Sequence, residues 1–276
     1  MSKLTVVVDN TVGMSRLAGE HGLSLWLEHA GVRVLYDTGA GVALMPNLER
    51  LGLDPAALDA VVLSHGHYDH TGGLAALLAA RGGVTDLWCH PDVFAGHLHD
   101  QGDGSAYDIG PPLGRQEAYE KLGARFNFIR ENTSPWPGIT LLAAIARTTD
   151  FEGPAPGLVV RGPRGLVPDP FHDDLALLVA GDSGPVVLTG CAHAGVINVL
   201  RAAEELSDEP IAALVGGTHL GPAPPAQQAR ALEELAARPA LHLVSGHCTG
   251  PAMNAILARV LGERFLPLAA GMSLEL

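Results

Sequence analysis

The sequence predicts an α/β protein folded as one domain over residues 1–276. Three observations point there. Apolar, β-branched strands end in a polar turn and run into a helix at Leu63, Thr189, Val215 and Ser245. Two hairpin patterns divide the chain into two β-rich halves. No stretch resembling a linker separates the halves, and 276 residues suffice for one large core. In α/β folds of this kind sites gather where the strand ends meet helix starts.

Taken in order, Leu4 to Asp9 is rich in Val and opens the chain as a strand, followed by a loop from Asn10 to Ser15. Leu23 to Glu28 and Val32 to Asp37 form a hairpin across His29-Ala30-Gly31, ended by Asp37-Thr38-Gly39. Leu44 to Leu51 reads as a short helix, Asp59 to Leu63 as a strand, Gly73 to Ala80 as a helix and Thr85 to His90 as a further strand. From Pro91 to Ala124 glycines and prolines (Gly102, Gly104, Pro111, Pro112) break any period. Long irregular segments in compact domains are often functional, so residues 91–124 read as a lid insertion that covers the substrate. His90, His97 and His99 lie away from the strand-end motifs and are expected at the surface or in the lid, without a role.

The second half begins with strands at Arg125 to Ile129, Ile139 to Ala143 and Gly157 to Val160, with a turn at Pro135 to Gly138. Leu175 to Val179 pairs with Pro185 to Thr189 across Ala180 to Gly184. A helix at Val196 to Leu206, a strand at Ile211 to Val215, a helix at Ala226 to Ala237 and a strand at Leu241 to Ser245 follow.

A net charge of −13 and the absence of a Lys/Arg cluster argue against a general nucleic-acid surface. No apolar run reaches the roughly 18 residues of a membrane span. Three cysteines without disulfide-like spacing, and an N-terminus lacking the pattern of a secretory leader, predict a cytoplasmic protein. A homo-oligomer is compatible with all of this.

The stretch Leu63 to Leu74 packs His65, His67, Asp69 and His70 into six residues on a strand-to-helix loop. Alternate side chains of an extended segment point the same way, so His65 and His67 can converge on one point. Asp69 and His70, at the helix start, can turn toward a second point beside it. Imidazoles and carboxylates are ligands for zinc, iron or manganese, and two such ions about 3.5 to 4 Å apart can activate water between them. The competing reading, a capping turn with Asp69 or Thr71 as N-cap and solvated histidines, would suit one histidine better than three. Further ligands are sought among His172, Asp173, Asp174, Cys191, His193, His219 and His247. His193 and His247 follow strands and a small residue, which places them where the first loop emerges, and both are read as ligands. His219 has the same setting and is open to a ligand or a substrate-contacting role. His172, Asp173 and Asp174 could ligate or face water at the hairpin start. His29 and His242 are read as structural.

His-x-His-x-Asp-His after an apolar strand resembles the signature of the metallo-β-lactamase superfamily. Val8-Asp9-Asn10-Thr11, Glu20-His21-Gly22-Leu23-Ser24, Tyr36-Asp37-Thr38-Gly39, Thr189-Gly190-Cys191-Ala192-His193-Ala194-Gly195, Gly216-Gly217-Thr218-His219-Leu220 and His247-Cys248-Thr249-Gly250 narrow the resemblance. They resemble the subgroup typified by dihydropterin ribofuranosylaminobenzene-phosphate synthases, over nearly the whole chain. The resemblance implies an αββα sandwich with a binuclear site of two transition-metal ions, zinc first, with iron or manganese as alternatives. The implied ligands are His65, His67, Asp69, His70, His193 and His247. Asp37 would support a ligand histidine from below, and Asp174 and Cys191 would stand beside the ions or bind them. The implied activity is that of a metal-dependent hydrolase, or of an enzyme processing a phosphate ester or pyrophosphate and related to pterin chemistry. Its substrate would be small and anionic. Asp69, His219 and His21 are the candidate catalytic residues, the two histidines for contacting substrate or protonating a leaving group. A di-iron redox protein of the same fold and a metal-stabilised ligand-binding protein are the alternatives.

One departure stands out. Many members of the superfamily place a bridging aspartate where this chain has Cys191. A thiolate cannot span two ions with two oxygens as a carboxylate does. The expectation is that Cys191 stands back as a small buried residue and that His193, on the same side if the chain stays extended, supplies the ligand.

Overall fold

A computed structural model describes residues 2–276. Among them two seven-stranded sheets stack face to face. The first runs Ser273–Glu275, Lys3–Val8, Ser24–His29, Val32–Tyr36, Ala60–Val62, Thr85–Cys89 and Ala124–Phe128 from edge to edge. The second runs Phe265–Pro267, His242–Ser245, Ala213–Gly216, Val186–Thr189, Ala176–Val179, Ile139–Leu142 and Thr133–Trp136. In each sheet hairpins supply the antiparallel half, and strands linked through helices supply the parallel half.

Three layers of apolar side chains follow from this stacking. Leu4, Leu25, Leu27, Val34 and Tyr36 of one sheet meet Leu141, Leu177, Val179 and Leu188 of the other in the middle. Helices Leu44–Leu51 and Leu74–Arg81 cover the outside of the first sheet through Leu44, Leu48, Leu74 and Leu78. Val196–Glu204, Pro225–Ala236 and Gly250–Leu261 cover the second through Ile197, Leu200, Leu235 and Leu257. The sandwich is αββα, as the motifs implied. No helix of the described residues is long and apolar enough to cross a membrane.

The elements read from the sequence recur with ends shifted by a residue or two, as expected where helix and strand termini fray. Pro135 and Trp136 are an exception: they belong to the edge strand Thr133–Trp136 rather than to a turn, Pro135 being tolerated where one side of the strand is unpaired. The segment from Pro91 to Ala124 is also more ordered than its composition suggests. It contains the short hairpin Leu98–Asp100 and Ala106–Asp108 and the helix Gln116–Glu120. That hairpin pairs with Leu158–Gly162 and its neighbour Gly165–Pro168 in a small third sheet beside the site. Three-residue strands that are half-exposed and set among glycines show no apolar run by which to read them, unlike the buried Ala60–Val62.

Two buried or half-buried carboxylates organise loops near the site. Glu20 accepts backbone N–H groups from Ala40, Gly41, Val42 and Ala43, closing the start of helix Leu44–Leu51. Glu152 accepts from Ile197 and Asn198, both at 2.9 Å, at the start of helix Val196–Glu204. A carboxylate at a helix N-terminus combines charge-assisted hydrogen bonds with the helix dipole. Replacing Glu152 with Ala should therefore lower unfolding free energy by about 2–3 kcal/mol, since two buried N–H donors lose a charged acceptor. Urea unfolding of Glu152→Ala beside Glu152→Gln checks this, and the Gln variant should retain part of the stability.

Candidate metal centre

The site lies where both sheets' strand ends meet. After Ala60–Val62, Leu63 and Ser64 lead into His65 to His70, with Tyr68–Thr71 forming the first helical turn. His193 follows Val186–Thr189, His219 follows Ala213–Gly216, and His247 follows His242–Ser245. All the strand-end histidines read from the sequence converge here. Non-glycine residues with left-handed φ concentrate here as well: Asp37, Phe171, Ala192, His219 and His247, with φ of 62°, 51°, 57°, 50° and 47°. Such conformations cost energy and are held only by dense surrounding contacts.

The ligand atoms form adjoining groups. Atoms of His65, His67 and His193 lie within 4.8 Å of one another, as do those of His65, His70 and Cys191, and those of Asp69, His247 and His21. His65 Nε2 is 3.1 Å from His67 Nδ1, and His70 Nε2 is 3.1 Å from His247 Nε2. Asp69 Oδ2 is 3.3 Å from His247 Nε2, 3.8 Å from His70 Nε2 and 3.2 Å from His21 Nε2.

The partners behind these rings fix which nitrogen faces the centre. Asp37, fully buried, accepts from His70 Nδ1 at 2.7 Å and from Ser64 Oγ at 2.6 Å. Ser64 Oγ, having donated to Asp37, accepts from His65 Nδ1 at 2.8 Å. One carboxylate thus orients two imidazoles and leaves both Nε2 atoms free. His247 Nδ1 donates to Asn10 Oδ1 at 3.0 Å, and the backbone N–H of His247 donates to Asp9 Oδ1 at 2.9 Å. Gly190 allows the two ligand loops to approach, because a Cβ there would collide with Ser64 Oγ and sit 3.0 Å from Asp37 Oδ2.

This geometry fits transition-metal ions. With Nδ1 of His70 and of His247 donating elsewhere, their Nε2 atoms stand 3.1 Å apart, a spacing that calls for a proton or a metal ion between or beside them. Both nitrogens of His193 are buried without a hydrogen-bond partner among the described residues, a costly state that an ion taking up one lone pair would relieve. Burial holds His65, His67 and His193 well below the usual imidazole range, so each offers a neutral ring. Burial alone would raise Asp69, but His70, His21 and His247 outweigh it and keep the carboxylate ionised. Burial also lowers His247, and the hydrogen bond to Asp69 overrides it, to about 9.

The remaining candidates separate. Cys191 is buried, as expected, with its Sγ 3.3 Å from His70 Nε2, while His193 groups with His65 and His67. The expectation assumed an extended chain, and Ala192, with φ of 57°, breaks that extension so that the two side chains serve different halves of the site. Asp174 is buried but accepts the Ala194 N–H at 2.7 Å; among the described residues it joins no ligand group and instead shapes the loop carrying His193. Asp173 accepts the Gly66 N–H, also within the buried layer. His172 faces a separate cleft with Arg130 and Arg147. His97, expected at the surface or in the lid, is 1% exposed, with Nδ1 2.6 Å from Asp169 Oδ2. Burial opposes protonation of His97, but Asp169 and Asp173 raise it to about 10. Asp9, Asn10, Asp169 and Cys248 are further site residues, and only Asp9, Asn10 and Cys248 fall in motifs visible in the sequence. A cavity of about 310 Å³ opens over the centre, lined on one side by Asp69, Cys191, His193, His219 and Cys248 and on the other by Tyr68, His99, Tyr107, Ile109 and Leu158.

A two-sheet sandwich with a histidine-rich centre at its strand ends defines a metallohydrolase-type fold, and the chain belongs to the metallo-beta-lactamase superfamily, whose family model matches residues 18–247. Among its relatives is the 7,8-dihydropterin-6-methyl-4-(beta-D-ribofuranosyl)-aminobenzene-5'-phosphate synthase of Methanocaldococcus jannaschii, 28% identical over 73% of this chain and 71% of that protein. An uncharacterised protein of the same organism is 31% identical over 79% of each chain. A solved structure described as a metal-dependent hydrolase of the beta-lactamase superfamily superposes with a TM-score of 0.85 at 25% identity, covering 100% of this chain and 99% of that one.

Proposed function

We propose that the protein is a metal-dependent enzyme with a binuclear centre, zinc first, that acts on a small anionic phosphate ester or pyrophosphate. The observation that carries this reading is the pair of adjoining ligand groups, His65–His67–His193 on one side and Asp69–His70–His247 with Cys191 on the other. When bound, the ions supply Lewis acidity and a water of lowered pKa. The chain's residues supply the rest. Asp37 and Asn10 hold the ligand rings in aim. His21, half-exposed beside Asp69, and His219, at the cavity wall, are placed to hold or deliver a proton at a leaving oxygen. Burial keeps His219 below its usual range, so it suits holding a proton taken from substrate or water, and the more exposed His21 is the better placed of the two to deliver one.

The cavity lining contains no Lys or Arg, so an anionic group entering it meets positive charge chiefly at the ions. Inhibition by inorganic phosphate should accordingly vanish, along with binding, when a chelator strips the metal. Calorimetry of apo and zinc-loaded protein with phosphate checks this. Phosphate binding with equal affinity to both forms would contradict the role given to the ions.

Hydrolysis and group transfer share this geometry. The likeness to the pterin-ribofuranosylaminobenzene-phosphate synthase, 28% identical over 73% of the chain, favours pterin-related transfer as the second reading. A screen of phosphodiesters, lactones, thioesters and pterin pyrophosphates with the zinc-loaded protein separates the two. Turnover only with a pterin pyrophosphate and an aromatic acceptor supports transfer, and water-dependent cleavage supports hydrolysis. Ligand affinity without product in every assay would contradict an enzyme, and reversible one-electron reduction of an iron-loaded form would point to the redox alternative.

A further inference from the structure

His97 groups with His67 and Asp169 beside the proposed ligand set, and it is among the most enclosed polar side chains there. It reaches the centre from the insertion between Thr85–Cys89 and Ala124–Phe128. Its Nδ1 is 2.6 Å from Asp169 Oδ2, and its Nε2 is 3.3 Å from Asp173 Oδ2. The two carboxylates pass the contact on. Asp173 Oδ2 accepts the N–H of Gly66, between ligands His65 and His67, at 2.8 Å. Asp169 Oδ1 accepts the N–H of Phe171, whose ring stacks on ligand His193 at 3.9 Å between centroids. His97 therefore reaches the loop that carries His65 and His67 through Asp173, and the ring of His193 through Asp169 and then Phe171.

Packing gives an independent indication. A Cβ at Gly66 would collide with the Val93 carbonyl oxygen and lie 2.6 Å from His97 Nε2, so residues 93–97 rest directly on the ligand loop. The edge of the His97 ring meets His67 at 5.3 Å between centroids. His67 Nε2, His97 Nε2 and Asp173 Oδ1 are buried here without hydrogen-bond partners among the described residues. The contact of His97 Nε2 with Asp173 is thus an ion pair rather than a hydrogen bond, and the firm anchor of the ring is Nδ1 on Asp169.

We propose that His97, held by Asp169 and Asp173, is a positioning residue that fixes the aim of His67 and His193 and so sets the affinity of that half of the metal centre selectively. The inference rests on the binuclear reading. Groups behind metal ligands typically change affinity by about 10–100-fold when removed. The half built from Asp69, His70 and His247 is supported instead by Asp37 and Asn10 and should be spared.

The test titrates apo protein with cobalt(II) against a competing chelator, following both affinity and the visible spectrum, for wild type, His97→Gln, His97→Leu and Asp173→Asn. Wild type should bind two ions. His97→Leu should bind one ion with unchanged affinity and the other about 10–100-fold more weakly, with an altered cobalt spectrum. His97→Gln, which keeps a donor toward Asp169, should recover part of that loss, and Asp173→Asn should repeat the selective defect if His97→Leu does not fold. Two ions bound with wild-type affinity and spectrum in the folded variants, or an equal loss of both ions, would overturn the inference alone. Fewer than two ions in wild type would overturn the binuclear reading and the inference with it.

Discussion

His67→Ala and Asp69→Ala are each expected to lose metal and turnover together, with kcat/KM falling on the order of 10³-fold, equivalent to about 4 kcal/mol of transition-state stabilisation. The expectation follows from where the two side chains stand. His67 Nδ1 faces His65 Nε2 at 3.1 Å in one half of the centre, and Asp69 Oδ2 faces His247 Nε2 at 3.3 Å in the other. Neither residue anchors the fold by other means. Asp69 makes its side-chain contacts with His21, His70 and His247, all within the site. The two variants should therefore unfold cooperatively, like wild-type apo protein. Elemental analysis that found full metal content in both variants would remove the ligand assignment.

The second large effect concerns the segment Cys191-Ala192-His193. His193→Ala should lose the ion held with His65 and His67 and should abolish turnover, because one ring nitrogen of His193 joins those two ligands and neither nitrogen has a hydrogen-bond partner among the described residues. Cys191→Ser should have a smaller effect on the other ion. Its Sγ stands 3.3 Å from His70 Nε2, close enough to join that half, while Asp69, His70 and His247 would still supply three ligands without it. A serine hydroxyl is a harder and weaker ligand than a thiolate, so zinc should be held less tightly and manganese comparatively better. Metal competition on the two purified variants checks the contrast. Loss of metal from the Ser variant with full retention in the Ala variant would reverse the assignment of the two residues.

How much of this could be read before the structure depended on sequence separation. His65, His67, Asp69 and His70 announce themselves because they share one loop, and His193, His219 and His247 because each ends an apolar strand. The residues that aim them are another matter. Asn10 is 237 positions from His247, and His97 is 72 positions from Asp169, so no local pattern links either pair. Asp37 could be tied to the ligand loop through the family motif, since a strand-end Asp-Thr-Gly is in itself an ordinary turn. Histidines 97 and 99 lay in a stretch broken by glycine and proline, where periodicity carries no signal and a buried side chain looks like an exposed one. The left-handed φ of Ala192 has no sequence signal, because alanine rarely adopts it, so the divergence of the Cys191 and His193 side chains shows only in the structure.

The sandwich itself was more accessible, because its strands are long enough to show their apolar faces. Lys3–Val8, the hairpin Ser24–His29 with Val32–Tyr36, and Val186–Thr189 all appear where the pattern put them. The edge strands Phe265–Pro267 and Ser273–Glu275 and the three-residue strands Leu98–Asp100 and Ala106–Asp108 do not announce themselves, because they are short and half-exposed. These short pieces complete the sheet edges and form one wall of the cavity, so the sequence is least legible at that wall.

The most direct test of the central claim is an anomalous-difference map, collected at the zinc edge, from crystals of protein purified and loaded with zinc. The account expects two peaks about 3.5 to 4 Å apart, one among His65, His67 and His193 and one among Asp69, His70 and His247. A single peak, or peaks placed elsewhere, would contradict the binuclear centre.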